Sequence, residues 1–236
     1  MILVMASDYD NLKEELPEYI KIKEENIRGT KVYKTIINSR EVLFVNSGIT
    51  KVDFTRNFVN IIGKYPVTKV IGIGNAASLN DCLKIGEVGI CDNSLQYDVD
   101  FTKLGYKIAK IPEIDKSIFY SDRELVKIAQ EACKKVCIEY DIGRTISADR
   151  FVGNTEKAKK LRKYFEADVL DTECGILGEL SYLYCIPTVT VKGISNYGND
   201  CAVEDYSKFR CIANQKSLEV LLAMIEMITK QTCGND

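Results

Sequence analysis

The chain has 236 residues, 46% hydrophobic and 28% charged, with 32 basic against 34 acidic side chains and a formal net charge of −2. This is the composition of a globular protein with a sizeable core, and so even a charge balance argues against nucleic acid or an anionic membrane as a partner. Histidine is absent, which excludes Ser-His-Asp and Cys-His catalysis and every His-ligated metal, and the nine cysteines contain no CxxC pair and read as reduced thiols of a cytoplasmic protein, with neither a metal nor a cofactor expected.

The opening MILVMASDYD turns acidic after six residues, unlike a secretory leader. No apolar run approaches the ~20 residues of a membrane span. Apolar runs alternate with amphipathic ones along the chain. Residues 2–6 read as a first strand, and 31–37 and 40–46 as two more, joined by a turn at Asn38-Ser39. Residues 53–65 have helical spacing through Phe54, Phe58 and Ile61. KVIGIG (69–74) is a buried strand ending at Asn75, and GEVGICD (86–92) is another. After an irregular stretch over 94–120 comes a helix over 122–140, a strand over 145–148 and a basic helix over 155–165. Residues 167–171 form a short strand that leads into an apolar helix over 173–184. Pro187 opens a strand over 187–195, where a missing N–H is tolerated. The last helix covers 214–231. With no repeat, linker or break in composition, the economical reading is α/β: a single three-layer domain over 1–236, a mixed central β-sheet flanked by helices.

The loops after the strands carry Asp8, Asp10, Ser47-Gly48, Asn75, Asp149, Asp171-Thr172-Glu173 and Ser195-Asn196. In α/β folds ligands bind at the carboxyl ends of strands, so these groups are placed to converge on one crevice. Any one of them is equally at home as a helix N-cap.

The order of these segments resembles the purine nucleoside phosphorylase/uridine phosphorylase superfamily, most of all its methylthioadenosine/S-adenosylhomocysteine nucleosidases. The stretches that carry the resemblance are NSGITKV (46–52), VIGIGNAASL (70–79), GEVGICD (86–92), DFTKLGY (100–106), SADRFVGN (147–154), LDTECGILGEL (170–180) and VKGISN (191–196). The resemblance implies a purine nucleoside at the strand ends. Phe151 would stack on the base and the Val152 backbone would read its edge. Glu173 would clamp the ribose 2′- and 3′-hydroxyls, a task suited to a carboxylate, which accepts two hydrogen bonds. Asp171, Thr172 and Ser195 fall within the same motifs, with Thr172 in place of a methionine that packs on the sugar and Asp171 in place of a Glu. Ile49 and Tyr206 match the wall of the 5′-substituent pocket. Phe101, Leu104, Tyr106 and Pro112 match residues that a neighbouring subunit contributes, so the family implies a homodimer. Taken alone, Phe151 reads as a core aromatic and Glu173 as a capping acid.

Three positions depart from the nucleosidase pattern. Asp10 stands where a Glu activates water, a competent base but one methylene shorter. Asn75 replaces a serine and is placed to contact the sugar or the nucleophile. Asn196 replaces the Asp that protonates purine N7. An amide has no proton to give at a usable pKa, but it can donate a hydrogen bond to a 6-oxo group. Asn196 therefore argues for 6-oxopurine nucleosides or for a weakened enzyme, and against efficient cleavage of adenine nucleosides.

A phosphorylase holds phosphate with arginines from the first strand-end loop and the fourth strand. MASDYDNLKEE and VIGIGNA contain none, and the first is acidic. The expectation is hydrolysis of a purine nucleoside's N-glycosidic bond, with Asp10, Glu173 and Asn196 as the catalytic set. The alternatives are a phosphorylase of 6-oxopurine nucleosides and a non-catalytic nucleoside-binding homologue.

Overall fold

A computed structural model describes residues 1–7, 14, 16–18 and 20–232, with side chains described to 228. Asp8 and Asp10 lie outside the described residues. One sheet of ten strands organises the chain. Its open part runs β2 (Lys23–Ile27), β3 (Thr30–Ile37), β4 (Arg40–Asn46), β1 (Ile2–Ala6), β5 (Lys69–Ser78). From β5 the sheet curls into a closed ring through β10 (Thr188–Asn196), β6 (Val88–Gln96), β8 (Tyr140–Ser147) and β9 (Val169–Asp171), which pairs back onto β5. The short β7 (Phe119–Tyr120) pairs with β6. The pairing is mixed: β1, β4, β5 and β10 run parallel, whereas β10–β6 and β5–β9 are antiparallel.

The central strands read as unbroken apolar runs because both faces are covered. In β1, Ile2, Val4 and Ala6 pack with α2 (Arg123–Lys135) and α5 (Ala202–Thr232), through Leu125, Ala129, Leu221 and Met224. Leu3 and Met5, on the opposite face, pack with α1 (Lys51–Ile62) and α4 (Cys174–Leu183), through Phe54, Phe58, Leu177 and Leu180. This period-two split is what makes three layers. A further core under α3 (Thr155–Phe165) joins Leu161 to Ile146, Val152 and Leu170 within the ring. Helix α5 crosses β10 so closely that a Cβ on Gly193 would overlap the Ala213 carbonyl, so only glycine fits there.

Several elements differ from the sequence expectation: β8 starts at Tyr140 instead of 145 and β6 runs on to Gln96, and four further differences have a plain physical reason. β2 (KEENI) was not expected, since only Ile27 is buried and the strand pairs with β3 alone. The helix expected to reach 140 stops at Lys135: Cys137 turns with φ 55°, and Tyr140 already belongs to β8. β5 continues past Asn75 to Ser78, because its distal half pairs with β9 and β10 to close the ring. The final helix begins at Ala202, well before 214, because its first turns are mostly exposed and carry little apolar periodicity. Among the described residues no helix is long and apolar enough to cross a membrane.

Candidate active site

The carboxyl ends of β1, β4, β5, β8, β9 and β10 surround one cavity of about 420 Å³, well within the size range of small-molecule sites. β1 delivers Ser7, β5 delivers Asn75 to Ala77, and the segment after β4 delivers Ile49 and Thr50. The turn after β8 supplies Asp149 to Val152, β9 leads into Asp171-Thr172-Glu173, β10 ends at Asn196, and α5 adds Tyr206 and Arg210. The structure thus brings together Ile49, Asn75, Phe151, Val152, Asp171, Thr172, Glu173, Asn196 and Tyr206.

The acid end of the cavity centres on a lysine. Lys192 is 2% exposed and its ammonium pairs with Glu173 Oε2, lies 3.6 Å from Asp171 Oδ2 and donates to the Ile73 carbonyl at 3.3 Å. Burial pushes the Lys192 pKa down, but the two carboxylates more than offset this and hold it above the ordinary lysine range, so it stays a cation. Burial pushes Glu173 up, and Lys192 pulls it part of the way back. Asp171 is further engaged by the Ser147 hydroxyl at 2.6 Å and by the Cys174 N–H at 3.1 Å. That leaves Asp171 as a support and Glu173 as the carboxylate facing the cavity.

Another part of the wall is aromatic. Phe151 is 54% exposed, against the core reading of the residue taken alone, and it meets Tyr206 edge to face with ring centroids 5.8 Å apart. Such a half-open ring offers a face for stacking. Val152 is buried beside it and lines the cavity with its neighbours.

Asn196 is 3% exposed. The β5–β10 register slips between Ile194 and Asn196, and a bulge of this kind re-aims a side chain. The hydroxyl of Ser195 lies 2.8 Å from Asn196 Oδ1, to which it donates, and 3.2 Å from the Ala76 carbonyl. Among the described residues no group accepts from the Asn196 NH2, which leaves it for a ligand. Ser195 itself is fully buried and does not line the cavity, so it orients Asn196 instead of touching a ligand. On β5, Asn75 Nδ2 donates to Asn214 Oδ1 at 3.0 Å, which leaves Asn75 Oδ1 as an acceptor.

Phe101, Leu104, Tyr106 and Pro112 do not line the cavity. Leu104 and Pro112 belong to two short 3₁₀ turns, Thr102–Leu104 and Pro112–Ile114, and Phe101 and Tyr106 flank the first; Phe101, Leu104 and Tyr106 are among the exposed large hydrophobic side chains. Lys192 escaped the sequence reading, although a lysine inside the apolar run VTVKGI was a signal for a buried partner. Ser7, Thr50, Arg150 and Arg210 escaped as liners too, since nothing local distinguishes them. Among the described residues no three His, Cys, Asp or Glu side chains gather as a metal site.

A family model described as the phosphorylase superfamily matches residues 1–226. The chain is 27% identical over 229 residues to a 5′-methylthioadenosine/S-adenosylhomocysteine nucleosidase of Staphylococcus haemolyticus, covering 97% of this chain and 99% of the relative. In structure it is similar to a nucleosidase of the same name from Neisseria meningitidis in complex with methylthio-immucillin-A, with a TM-score of 0.88, 24% identity, and 96% and 98% of the two chains covered. It is also similar to the futalosine hydrolase of Helicobacter pylori, with a TM-score of 0.90, 23% identity and coverage of 96% and 97%.

Proposed function

The chain belongs to the phosphorylase superfamily, and from that membership we propose that it hydrolyses the N-glycosidic bond of a purine nucleoside, with 6-oxopurine nucleosides as its favoured class. The observation that carries this reading is the convergence of a buried carboxylate, a half-open aromatic face and a free amide NH2 on one cavity: Glu173, Phe151 and Asn196. The relatives are named nucleosidases and one structural neighbour a hydrolase, in keeping with this reading.

In this reading Glu173 accepts from the two ribose hydroxyls, and Phe151 stacks on the base. The Asn196 NH2 donates to the 6-oxo group. Asp10 takes a proton from water, the water oxygen bonds to C1′, and the bond from C1′ to the base nitrogen breaks with its electron pair going to the base. Asn75 Oδ1 accepts from the sugar or the water. Amide stabilisation of the leaving base substitutes for the proton that Asn196 cannot give.

The ends of β1 and β5, where a phosphorylase would hold phosphate, contribute Ser7, Asn75, Ala76 and Ala77 to the wall. The two arginines in the wall, Arg150 and Arg210, come from the turn after β8 and from α5. This supports water over phosphate as the nucleophile. The test is release of hypoxanthine or adenine from inosine- and adenosine-type nucleosides with and without phosphate. Base release independent of phosphate is expected. A rate raised more than tenfold by phosphate, with ribose 1-phosphate accumulating, would replace hydrolysis by phosphorolysis. Binding without cleavage of either nucleoside would leave a nucleoside-binding homologue.

The functional unit is read as a homodimer, in which Phe101, Leu104, Tyr106 and Pro112 of one copy close the 5′ side of the other copy's cavity. Their exposure and their absence from their own cavity support this.

A further inference from the structure

We infer that Ser7 is a further sugar ligand of this cavity: its hydroxyl donates to the ribose hydroxyl seated at the Lys192 end of the Glu173 carboxylate, and so adds to the selection of an intact ribose diol. The inference rests on the nucleoside reading of the same cavity and adds a specificity-determining residue to it.

Ser7, Gly74 and Lys192 form one row across three neighbouring strands. β1 and β5 pair in parallel up to Ala6 opposite Ile73, so Ser7 follows on level with Gly74. On the other side of β5, Gly74 is paired with Lys192 of β10. The middle residue of the row has no side chain, and its two neighbours use the space. A Cβ on Gly74 would come within 2.0 Å of Ser7 Oγ and 3.3 Å of Lys192 Nζ, and φ there is 136°, so the position requires glycine. This notch in β5 is what brings a hydroxyl and an ammonium together in the sheet.

The polar groups around the notch are engaged, with one exception. The Gly74 N–H donates to the Ser217 hydroxyl at 3.2 Å. The Lys192 ammonium pairs with Glu173 Oε2 and donates to the Ile73 carbonyl. Ser7 Oγ is shielded from solvent, yet it has no hydrogen-bond partner among the described residues. Leaving a buried hydroxyl unpaired costs about 1–3 kcal/mol, and such a group calls for an explanation. Here Ser7 lines the cavity, so a bound ligand can supply the partner.

The neighbouring charge sets the direction of the bond. A hydroxyl beside an ammonium turns its lone pairs towards the cation and its proton away. Ser7 is thus a donor into the cavity and needs an acceptor from the ligand. A ribose hydroxyl that gives its proton to Glu173 keeps two lone pairs, one of which can accept from Ser7. Lys192 Nζ is the common neighbour of Ser7 Oγ and Glu173 Oε2. The hydroxyl bonded to Oε2 is therefore the one that Ser7 meets.

The test uses uncleavable C-nucleosides, in which a hypoxanthine-like base is joined through carbon, so that binding is measured apart from catalysis. The ribose ligand and its 2′-deoxy and 3′-deoxy forms are compared by calorimetry in wild type and Ser7→Ala. Ser7→Ala should weaken the ribose ligand roughly three- to tenfold. It should leave unchanged the binding of the deoxy form that lacks the hydroxyl Ser7 meets, and still weaken the other form, which names the hydroxyl. The Tm of the free protein should hold or rise, because the variant removes an unpaired buried hydroxyl. No loss for the ribose ligand, or an equal loss for all three with a lower Tm, would overturn the inference and make Ser7 a structural residue. Slower cleavage of the matching N-nucleoside with binding unchanged would place Ser7 on the attacking water, and would overturn it too. The nucleosidase reading is scored separately by cleavage of the N-nucleosides in wild type. The expected binding pattern without any cleavage would refute that reading while Ser7 stood as a sugar ligand. Cleavage without the pattern would do the reverse, and binding of none of the three ligands to wild type would sink both.

Discussion

Lys192 and Glu173 form an ion pair inside the protein, at 2% and 9% side-chain exposure, with Asp171 3.6 Å from the same ammonium. Breaking a buried pair from one side leaves uncompensated charge and typically costs about 3–5 kcal/mol. Lys192→Met should therefore destabilise the fold on that scale at neutral pH, with Tm falling by roughly 2–4 °C for each kcal/mol at this chain length. The loss should narrow as pH falls, because a protonated Glu173 needs no cation. Lys192→Arg keeps the charge and should recover most of the stability. Urea unfolding of both variants at neutral and acidic pH measures this. A Lys192→Met variant within about 1 kcal/mol of wild type would mean that the two acids do not depend on this cation.

Glu173 titrates above its ordinary value of 4.5 because it is buried, with Lys192 only partly offsetting that. The form that accepts two hydroxyls is the carboxylate. Nucleoside binding should therefore be full at neutral pH and fall as pH drops through a value above 4.5, earlier than for a surface glutamate. Glu173→Gln should flatten this profile and weaken nucleoside binding by ~1.5–3 kcal/mol, roughly tenfold to 150-fold, while leaving binding of the free base little changed. Calorimetric Kd values from pH 4 to 8 decide it. Equal losses for nucleoside and base would show that Glu173 does not touch the sugar.

The two residues just discussed also mark what the sequence could show. Glu173 was legible because it sits in a motif, LDTECGILGEL, whose place in the order of segments is informative. Lys192 lies in a comparable motif, VKGISN, but its meaning depends on which acids face it across the ring, a contact made by closure of β5, β9 and β10. The layers were legible from the apolar runs of β1 and β5, since a strand covered on both faces has no polar alternation to mislead. The ring closure and the early start of α5 were not, because long-range pairing and an exposed first turn leave no local period. Ser195 looked like a ligand by position. Only the bulge, which alternation alone does not reveal, turns Asn196 into the cavity and Ser195 away from it.

The exposed side chains of Phe101, Leu104 and Tyr106 carry the expectation of a dimer. Leu104 is 73% exposed on a surface turn, so Leu104→Glu should leave the monomer fold intact and introduce a charge into an apolar interface. Light scattering should show wild-type dimers and a weakened association in the variant, and nucleoside binding should weaken in step with dissociation. A wild-type monomer that binds nucleoside fully would remove the idea that a second copy completes the cavity.

Asn196 gives the sharpest test of the base. It is a buried strand residue, and the next helix begins only at Ala202, so it caps nothing. The Ser195 hydroxyl that now donates to Oδ1 would donate equally to a carboxylate oxygen, and this would hold an aspartate in the same place with its second oxygen where the NH2 now points. Protonated, that oxygen is the general acid the site lacks. General acid catalysis typically contributes 10²–10⁴-fold, so Asn196→Asp should raise cleavage of adenine nucleosides such as methylthioadenosine on about that scale. It should lower cleavage of inosine-type substrates, because an ionised carboxylate and a 6-oxo group are both acceptors and the amide donor is gone. The two side chains are nearly isosteric, so the fold should persist, which a melting curve confirms or denies. The deciding quantity is the ratio of kcat/KM for adenine and hypoxanthine nucleosides, wild type against variant. A ratio unchanged within about threefold, well below the acid's expected contribution, would mean that the Asn196 amide does not read the base, and the preference for 6-oxopurines would lose its foundation.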